Sequence, residues 1–394
     1  MSITLSNRVN SIKPSPTLAV TTRARELRES GKDVIGLGAG EPDFDTPQHI
    51  KDAAIKAIQD GFTKYTAVDG TPALKQAIID KYERDNGLQY EANQILVSAG
   101  GKHSIFNMIE ALINPGDEVI IPAPYWVSYP DIVKLAEGVP VIISAGIEQE
   151  YKISPVQLEL AITDKTRLLF LNSPSNPTGA VYSRQELVEL GEILKKHPDV
   201  LIATDDMYEH IIWTDEGFSN IAMACPELAE RTIVLNGVSK AYSMTGWRIG
   251  YCGGPAELIG AMKKVQSQST SNPTSISQVA AQAALEGDQS CIEPMLKAFK
   301  QRHDYIVDAL NDLPGVKCLP SDGTFYAFAD FRELIEEHHG IGNDIELAEF
   351  LLVNAGVALV PGSAFGAEGY QRISFATGME QLEGAVERMR EALI

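Results

Sequence analysis

From about residue 48 the sequence alternates between short apolar runs and stretches with helical periodicity. In PQHIKDAAIKAIQDG, a helical stripe carries Ile50, Ala54, Ala57 and Ile58. The apolar runs, each bounded by turn residues, are EVIIPAP, VPVIISA, RLLFLNS, VLIATDD, TIVLNG and IGYCGG. Apolar strands that alternate with helices are typical of a largely parallel sheet covered by helices on both faces. The chain is therefore predicted to be an α/β protein.

The pattern changes after about residue 290. A long helical stretch is followed by three strand-like segments, GTFYAFADF, GVALVPGS and YQRISFAT, and by a closing helix. The length, 394 residues, also exceeds what one hydrophobic core usually supports. We predict a large domain over residues 47–290, a smaller α+β domain over 291–394, and an N-terminal segment, 1–46, that packs with the small domain.

The charge balance excludes some classes of partner. Lys plus Arg number 33 and Asp plus Glu number 53, which gives a net charge of −20. Such a surface repels nucleic-acid phosphates and anionic lipids, so neither partner is expected. The N-terminus has no apolar signal core, and no apolar run approaches the length of a membrane span, so a cytoplasmic protein is predicted. The four cysteines lie far apart without zinc-site spacing, and no metal site is expected.

Polar residues follow three of the predicted strands. RLLFL ends at Asn172, VLIAT ends at Asp205, and TIVL ends at Asn236, shortly before Lys240. In open α/β sheets the ligand crevice lies outside the carboxyl ends of the strands. The alternative is that these residues are loop starters and helix caps, as Asp and Asn commonly are.

Lys240 and Arg248 lie in one segment of small and apolar residues, NGVSKAYSMTGWRIGY. A lysine becomes a Schiff-base nucleophile when burial or a nearby cation lowers its pKa. An arginine fork can bind two oxygens of a phosphate. The small and apolar neighbours favour a pocket over a solvated surface.

Three further residues have side chains suited to a heteroaromatic ring. Asp205, at the mouth of an apolar sheet, needs a cation, and a protonated pyridine nitrogen would be one. Tyr208 would present its hydroxyl to the same ring. Asn176 lies between two prolines in SPSNPTG and would direct an amide donor to a phenolate oxygen. The alternatives are an N-cap aspartate beside a packed tyrosine, and an ordinary turn.

Anion binding is indicated at two more places. Gly100, Gly101 and Lys102 stand between a strand and a helix, where free backbone N–H groups bind anions. Arg372, within an apolar strand, needs an anionic partner, which is either a substrate carboxylate or a structural ion pair. Trp126, in APYWVSYP, either stacks on a flat ring or packs in the core.

The ordered set of motifs resembles the class I pyridoxal-phosphate aminotransferases of fold type I, over nearly the whole chain. It is most similar to the bacterial aspartate aminotransferases whose sequences begin with a KPS-x-T segment, here KPSPT. The matching motifs are GEPDFDTP, KYTAVDG with Tyr65, GGK, PYW, NSPSNPTG, DDMY, SKAYSMTGWRIGY and QRISFAT.

The resemblance implies a role for each matching residue. Lys240 would hold pyridoxal 5'-phosphate covalently and move the substrate proton, Asp205 would keep the pyridine nitrogen protonated, and Tyr208 would bond the ring oxygen. The other cofactor contacts would come from Gly100, Gly101, Lys102, Trp126, Asn176, Ser239 and Arg248. The substrate contacts would come from Arg372, Gly40, Trp126 and Asn176. Tyr65 would reach the cofactor phosphate of a partner subunit, which implies a homodimer with shared sites.

The sequence also departs from the family pattern. Gly237 stands where the best-known branch has a phosphate-binding serine. The stretch KKVQSQSTSNPTS lacks the arginine that reads the second substrate carboxylate, and Ser267 falls near its place. Lys102, with Thr17, is the candidate replacement. The predicted activity is amino transfer between aspartate or glutamate and 2-oxo acids. The alternatives are aromatic or prephenate transamination, a β-lyase, and a cofactor-binding regulator, for whose DNA-binding domain no residues are left over.

Overall fold

The computed structural model describes residues 3–338 and 340–393. The strands are β1 (Ile35–Gly36), β2 (Ile95–Ser98), β3 (Glu118–Ala123), β4 (Val139–Ser144), β5 (Thr166–Asn172), β6 (Leu201–Asp205), β7 (Thr232–Gly237), β8 (Gly250–Gly253), β9 (Lys317–Cys318), β10 (Tyr326–Asp330), β11 (Val357–Ala358), β12 (Val360–Pro361) and β13 (Tyr370–Ser374). The α-helices are α1 (Asn7–Asn10), α2 (Pro16–Glu29), α3 (Gln48–Gln59), α4 (Pro72–Lys81), α5 (Gly101–Leu112), α6 (Ser128–Leu135), α7 (Pro155–Ala161), α8 (Arg184–Lys195), α9 (Ile221–Ala224), α10 (Ala256–Gln268), α11 (Ser275–Glu286), α12 (Glu293–Asn311), α13 (Arg332–Glu337), α14 (Asp344–Phe350) and α15 (Met379–Leu393).

Seven strands form the large sheet in the order β2-β8-β7-β6-β5-β3-β4. Strands β7, β6, β5, β3 and β4 run parallel, whereas β8 is antiparallel to both of its neighbours. Every apolar run noted in the sequence is one of these strands. The prediction of an α/β fold with a mostly parallel sheet flanked by helices is confirmed.

Both faces of the sheet are buried, which explains its continuous apolar strands. On β5, Leu168 and Phe170 pack into the cluster that includes α5, α6 and α10. The alternating Leu169 and Leu171 pack on the opposite face with α7 and α8. The predicted helical stripe is helix α3, which buries Ile50, Ala54 and Ala57. Ile58 of the same stripe is 53% exposed because no described element covers it.

The C-terminal part of the chain forms a four-stranded antiparallel sheet in the order β12-β13-β10-β9. The N-terminal segment pairs with this part of the chain in a separate two-stranded sheet, in which β1 runs parallel to β11. Helix α2 also lies against β11 and β12, whereas α1 contacts α6 of the large-sheet layer. The domain boundaries given above stay a prediction.

This architecture brings distant parts of the chain to one edge of the large sheet. The carboxyl ends of β5, β6 and β7 are neighbours there, and the N-terminal segment and β13 face them across a cavity. Within residues 3–338 and 340–393, none of the helices combines the length and the apolar character needed to span a bilayer.

Candidate active site

A cavity of about 490 Å³ lies at the carboxyl edge of the large sheet. That volume is within the usual range for a small-molecule or cofactor site. All but two of the predicted site residues line it: Thr17, Gly40, Gly101, Lys102, Trp126, Asn176, Asp205, Tyr208, Ser239, Lys240, Arg248 and Arg372. The other two are Gly100, which lies against Arg248, and Tyr65, which is 92% exposed.

Asp205 ends β6 and is buried at the floor of the cavity. Burial raises the pKa of its carboxyl, and the hydroxyl of Tyr129 opposes that shift by donating a hydrogen bond to Oδ2 at 2.6 Å. The Nδ2 group of Asn172, on the adjacent β5, donates to the Asp205 carbonyl at 2.8 Å. The carboxylate is thus held at one place, and within the described residues no cation forms an ion pair with it.

Lys240 follows β7 and points across the same cavity. Its Nζ donates to the carbonyl of Gly40 and lies 5.7 Å from the centre of the Tyr208 ring. Burial, and secondly the charge of Arg372, lower the pKa of its amine to about 8. A substantial fraction of neutral, nucleophilic amine is therefore available near neutral pH.

Arg372 lies on β13, and its side chain is 2% exposed. Its Nη1 donates to Asn176 Oδ1 at 2.9 Å and its Nη2 to the Gly38 carbonyl at 2.8 Å, while Nε has no partner. The guanidinium carbon stands 4.4 Å from the centre of the Tyr326 ring. No carboxylate oxygen of the described chain lies within 4.0 Å of this cation. Arg372 therefore does not form a structural ion pair, the alternative considered from the sequence, with any described residue.

Asn176 and Tyr208, two residues of the cavity wall, are fixed by hydrogen bonds to neighbouring side chains. The amide oxygen of Asn176 accepts from Arg372, and its backbone N–H donates to Asn172 Oδ1 at 2.8 Å. These bonds leave the Asn176 side-chain NH₂ as a free donor in the cavity wall. The Tyr208 hydroxyl lies 2.9 Å from that of Tyr326.

The guanidinium of Arg248 lies beside the first residue of the mouth of helix α5, Gly100. Gly100 has φ +93°, a conformation that favours glycine because residues with a Cβ rarely adopt it. The Arg248 guanidinium donates to the Thr245 carbonyl at 2.9 Å. Lys102 lies at the exposed rim, with Nζ 4.9 Å from the centre of the Trp126 ring. A helix N-terminus beside these two cations is suited to a phosphate.

Two residues of the site were missed by sequence reasoning. Tyr129 contacts Asp205, and Tyr326 contacts both Tyr208 and Arg372. Tyr326 lies in GTFYAFADF, which reads as an ordinary buried strand, so its sequence carried no sign of this role. Tyr129 lies three residues after Trp126, but Trp126 precedes helix α6, so no helical spacing pointed to its contact with Asp205.

Comparison with known proteins agrees with this geometry. Residues 32–389 match the family described as "Aminotransferase class I and II". The aspartate/prephenate aminotransferase of Nitrosomonas europaea is 62% identical over 394 residues, 99% of each chain, and the aspartate aminotransferase of Bacillus sp. is 51% identical over 98% of each. The crystal structure of the Rhizobium meliloti aspartate aminotransferase superposes with a TM-score of 0.96 at 48% identity, covering 100% of this chain and 99% of that one. The Thermus thermophilus aspartate aminotransferase with maleate gives 0.94 at 41% identity, covering 99% and 100%. The chain therefore belongs to the class I and II aminotransferases.

Proposed function

We propose that this protein uses pyridoxal 5'-phosphate to transfer an amino group between aspartate or glutamate and 2-oxo acids. The observation that carries the proposal is the buried Arg372, which shares a cavity with Lys240. Among the described residues it has no acidic partner, and its Nε is unpaired. A buried guanidinium without an anion is unfavourable. The α-carboxylate of an amino acid would supply that anion through two parallel bonds, beside the backbone at Gly40.

The residues of the cavity fit the cofactor. When bound, pyridoxal phosphate supplies an electron-accepting ring for the charge left on Cα when it loses its proton. Lys240 would hold the cofactor covalently, Asp205 would face its ring nitrogen, and Tyr208 and Asn176 would donate to its ring oxygen. The phosphate would lie among Gly100, Gly101, Lys102, Ser239 and Arg248, with Trp126 stacked on the ring. The glycine-lined mouth of α5 and its unpaired cations support this arrangement.

Proton transfer is assigned to Lys240. Its pKa of about 8 lets the amine accept and return a proton near neutral pH. Arg372 and Asn176 would orient the substrate so that the Cα–H bond faces that amine. Because Arg372 donates to Asn176, this hydrogen bond would couple the contact of Asn176 with the cofactor ring to the contact of Arg372 with the substrate carboxylate.

A second carboxylate would be bound by Lys102, with Thr17 nearby in the cavity wall. Ser267, at the place of the missing arginine, donates to the Lys264 carbonyl of its own helix at 2.7 Å. It therefore has little capacity left for a substrate. The T. thermophilus relative was solved with maleate, a dicarboxylate, which supports a dicarboxylate substrate here.

We further propose a cytoplasmic homodimer in which Tyr65 reaches the partner's cofactor phosphate. Tyr65 is 92% exposed, and Ile55, Ile58 and Phe62 are also exposed close to it in sequence. An apolar face of this kind is typical of a subunit contact. Sedimentation should give a dimer. Tyr65→Phe should weaken cofactor binding without dissociating the dimer. A stable, fully active monomer would contradict shared sites.

Prephenate is the second candidate substrate. A mostly apolar cavity of about 480 Å³, lined by Phe106, Ile132 and Leu135, adjoins the first. The two cavities share Ser15, Lys102, Val127 and Arg248 as wall residues. This space suits a substrate with a bulky apolar body and a second carboxylate. Several relatives are named aspartate/prephenate aminotransferases, which supports the same activity here.

The test is a panel of donors and acceptors with the purified, pyridoxal-phosphate-loaded protein. Aspartate, glutamate and phenylalanine are compared as donors, and 2-oxoglutarate, oxaloacetate and prephenate as acceptors. We expect aspartate with 2-oxoglutarate to react, and prephenate to accept an amino group from the same donors. Absence of turnover with every dicarboxylate would refute the proposed substrate class, and failure to bind the cofactor would refute the proposed enzyme.

A further inference from the structure

Tyr129 links the two groups assigned to the cofactor ring, Asp205 and Trp126. Its hydroxyl donates to Asp205 Oδ2 at 2.6 Å, and its ring meets the Trp126 ring edge-on, with centroids 5.4 Å apart at 81°. On its other side the ring stacks on Phe170, with centroids 4.5 Å apart at 15°. The side chain is 2% exposed, so close packing fixes the place of its hydroxyl.

The Asp205 carboxylate has few other constraints. In the described chain its second hydrogen bond comes from the backbone N–H of Met207 to Oδ1, at 3.4 Å, which is long for such a bond. A carboxylate has about four acceptor positions. Tyr129 therefore holds one oxygen firmly and leaves acceptor capacity for a ligand in the cavity that Asp205 lines.

The hydroxyl also affects the charge of Asp205. Burial raises the pKa of that carboxyl, and the bond from Tyr129 lowers it. Burial and the nearby carboxylate raise the pKa of the Tyr129 phenol well above its ordinary value, so the phenol stays a donor. Without this donor the buried acid would take up a proton more readily, and a neutral acid cannot balance a protonated ring nitrogen.

We propose that Tyr129 is a positioning residue whose hydroxyl keeps the Asp205 carboxylate ionised and aimed at the cofactor ring nitrogen. The inference rests on the proposed function. Tyr129 does not contact substrate in this scheme and acts through Asp205, while its ring sets the edge against which Trp126 packs.

The test measures cofactor binding by the apoprotein with two cofactors, pyridoxal phosphate and its 1-deaza analogue, in which a carbon replaces the ring nitrogen. The variant is Tyr129→Phe, which removes only the hydroxyl. The matched control is Tyr182→Phe, since Tyr182 is a buried tyrosine whose hydroxyl accepts from the Ile153 N–H at 2.9 Å, with no hydrogen bond to Asp205.

Tyr129→Phe should raise the dissociation constant of pyridoxal phosphate about tenfold, as expected for a lost bond to a charged group. The same variant should change the dissociation constant of the deaza analogue by less than about twofold, because that analogue has no ring N–H to interact with Asp205. The control should change neither cofactor's affinity.

Equal losses with both cofactors, or no loss with pyridoxal phosphate, would overturn the inference. So would a Tyr129→Phe apoprotein that circular dichroism shows to be unfolded, because the hydroxyl would then serve folding. Failure of the unmodified protein to bind pyridoxal phosphate is a different result, which would refute the proposed function and this inference with it.

Discussion

Two buried cations of this protein are surrounded very differently. Lys81 is 0% exposed and Arg372 is 2% exposed. The Lys81 ammonium contacts the Glu209 carboxylate and donates to Asn86 Oδ1 at 2.8 Å. Arg372 has only an amide oxygen and a backbone carbonyl, with one nitrogen unpaired. The two side chains are equally buried but unequally paired, which matches a structural role for Lys81 and the ligand-binding role proposed for Arg372.

The charge of Lys81 is balanced by carboxylates of the described residues. Glu209 accepts from the side-chain amides of Asn86 and Asn236, each at 2.8 Å. Burial raises the pKa of Glu209, but Lys81, His210 and Asn86 together outweigh that effect and lower the pKa to about 2. Glu209, Asp85 and His210 bring three possible metal ligands within 4.8 Å of one another, yet Lys81 already supplies the positive charge there.

The largest expected effect is that of Lys240→Ala. Removing the proposed nucleophile and proton carrier should lower kcat by at least about 10⁴-fold. The apparent free energy of unfolding of the apoprotein should change by less than about 1 kcal/mol, because no ion pair is broken. Steady-state kinetics and urea denaturation measure the two quantities. A fully active variant would contradict the assignment of Lys240.

Lys81→Met should show the opposite pattern. It leaves Glu209 buried without its cation, which should reduce the apparent free energy of unfolding by about 3–5 kcal/mol. The kcat of the folded protein should change by less than about threefold. The double variant with Glu209→Gln should recover part of the stability, since no bare charge is left. Unchanged stability in Lys81→Met would contradict the structural role given to Lys81.

Arg372→Lys keeps the charge and loses the planar fork. Because two parallel bonds to the substrate carboxylate cannot form, kcat/KM for aspartate should fall about a hundredfold. Stability of the apoprotein should stay within about 1 kcal/mol of the unmodified protein. A large loss of stability with unchanged kcat/KM would instead make Arg372 a structural residue.

Lys102→Ala tests whether this exposed cation binds the second carboxylate of the substrate. Loss of the rim cation should lower kcat/KM for aspartate about tenfold, as for a lost charged hydrogen bond. Phenylalanine, which has no second carboxylate, is the internal control and should lose less than about threefold. An equal loss with both donors would show that Lys102 serves the cofactor phosphate alone.

An expected effect of similar size is a pH dependence of cofactor attachment. Only the neutral amine of Lys240 can attack the aldehyde, and its pKa is about 8. The rate constant for covalent attachment to the apoprotein should therefore rise about tenfold from pH 7 to pH 9, following the neutral fraction. Stopped-flow absorbance measures it. A flat profile over this range would contradict the lowered pKa.

The large sheet and most of the cavity could be predicted from the sequence for a physical reason. Strands buried on both faces must be apolar throughout, and the polar residues at their ends, such as Asn172 and Asp205, stand out against them. Because parallel strands end at one edge, those residues had to meet. Family motifs then supplied the expected roles of Lys240 and Arg372.

The features that could not be predicted from the sequence depend on contacts between residues far apart in the chain. The hydroxyls of Tyr208 and Tyr326 meet across 118 positions, and nothing local marks Tyr326. Lys81 lies in a helical stretch with charges that reads as a solvated face, and only the fold brings Glu209 to it. The exposure of Ile58 has the same origin, since no local pattern says which apolar face another element covers.

The most direct test of the central claim is to locate the covalent bond to the cofactor. The pyridoxal-phosphate-loaded protein is reduced with borohydride, which makes the linkage permanent, then digested and analysed by mass spectrometry. The account predicts a phosphopyridoxyl group on the peptide that contains Lys240, and none on Lys102. A label on another lysine, or on no lysine, would contradict it.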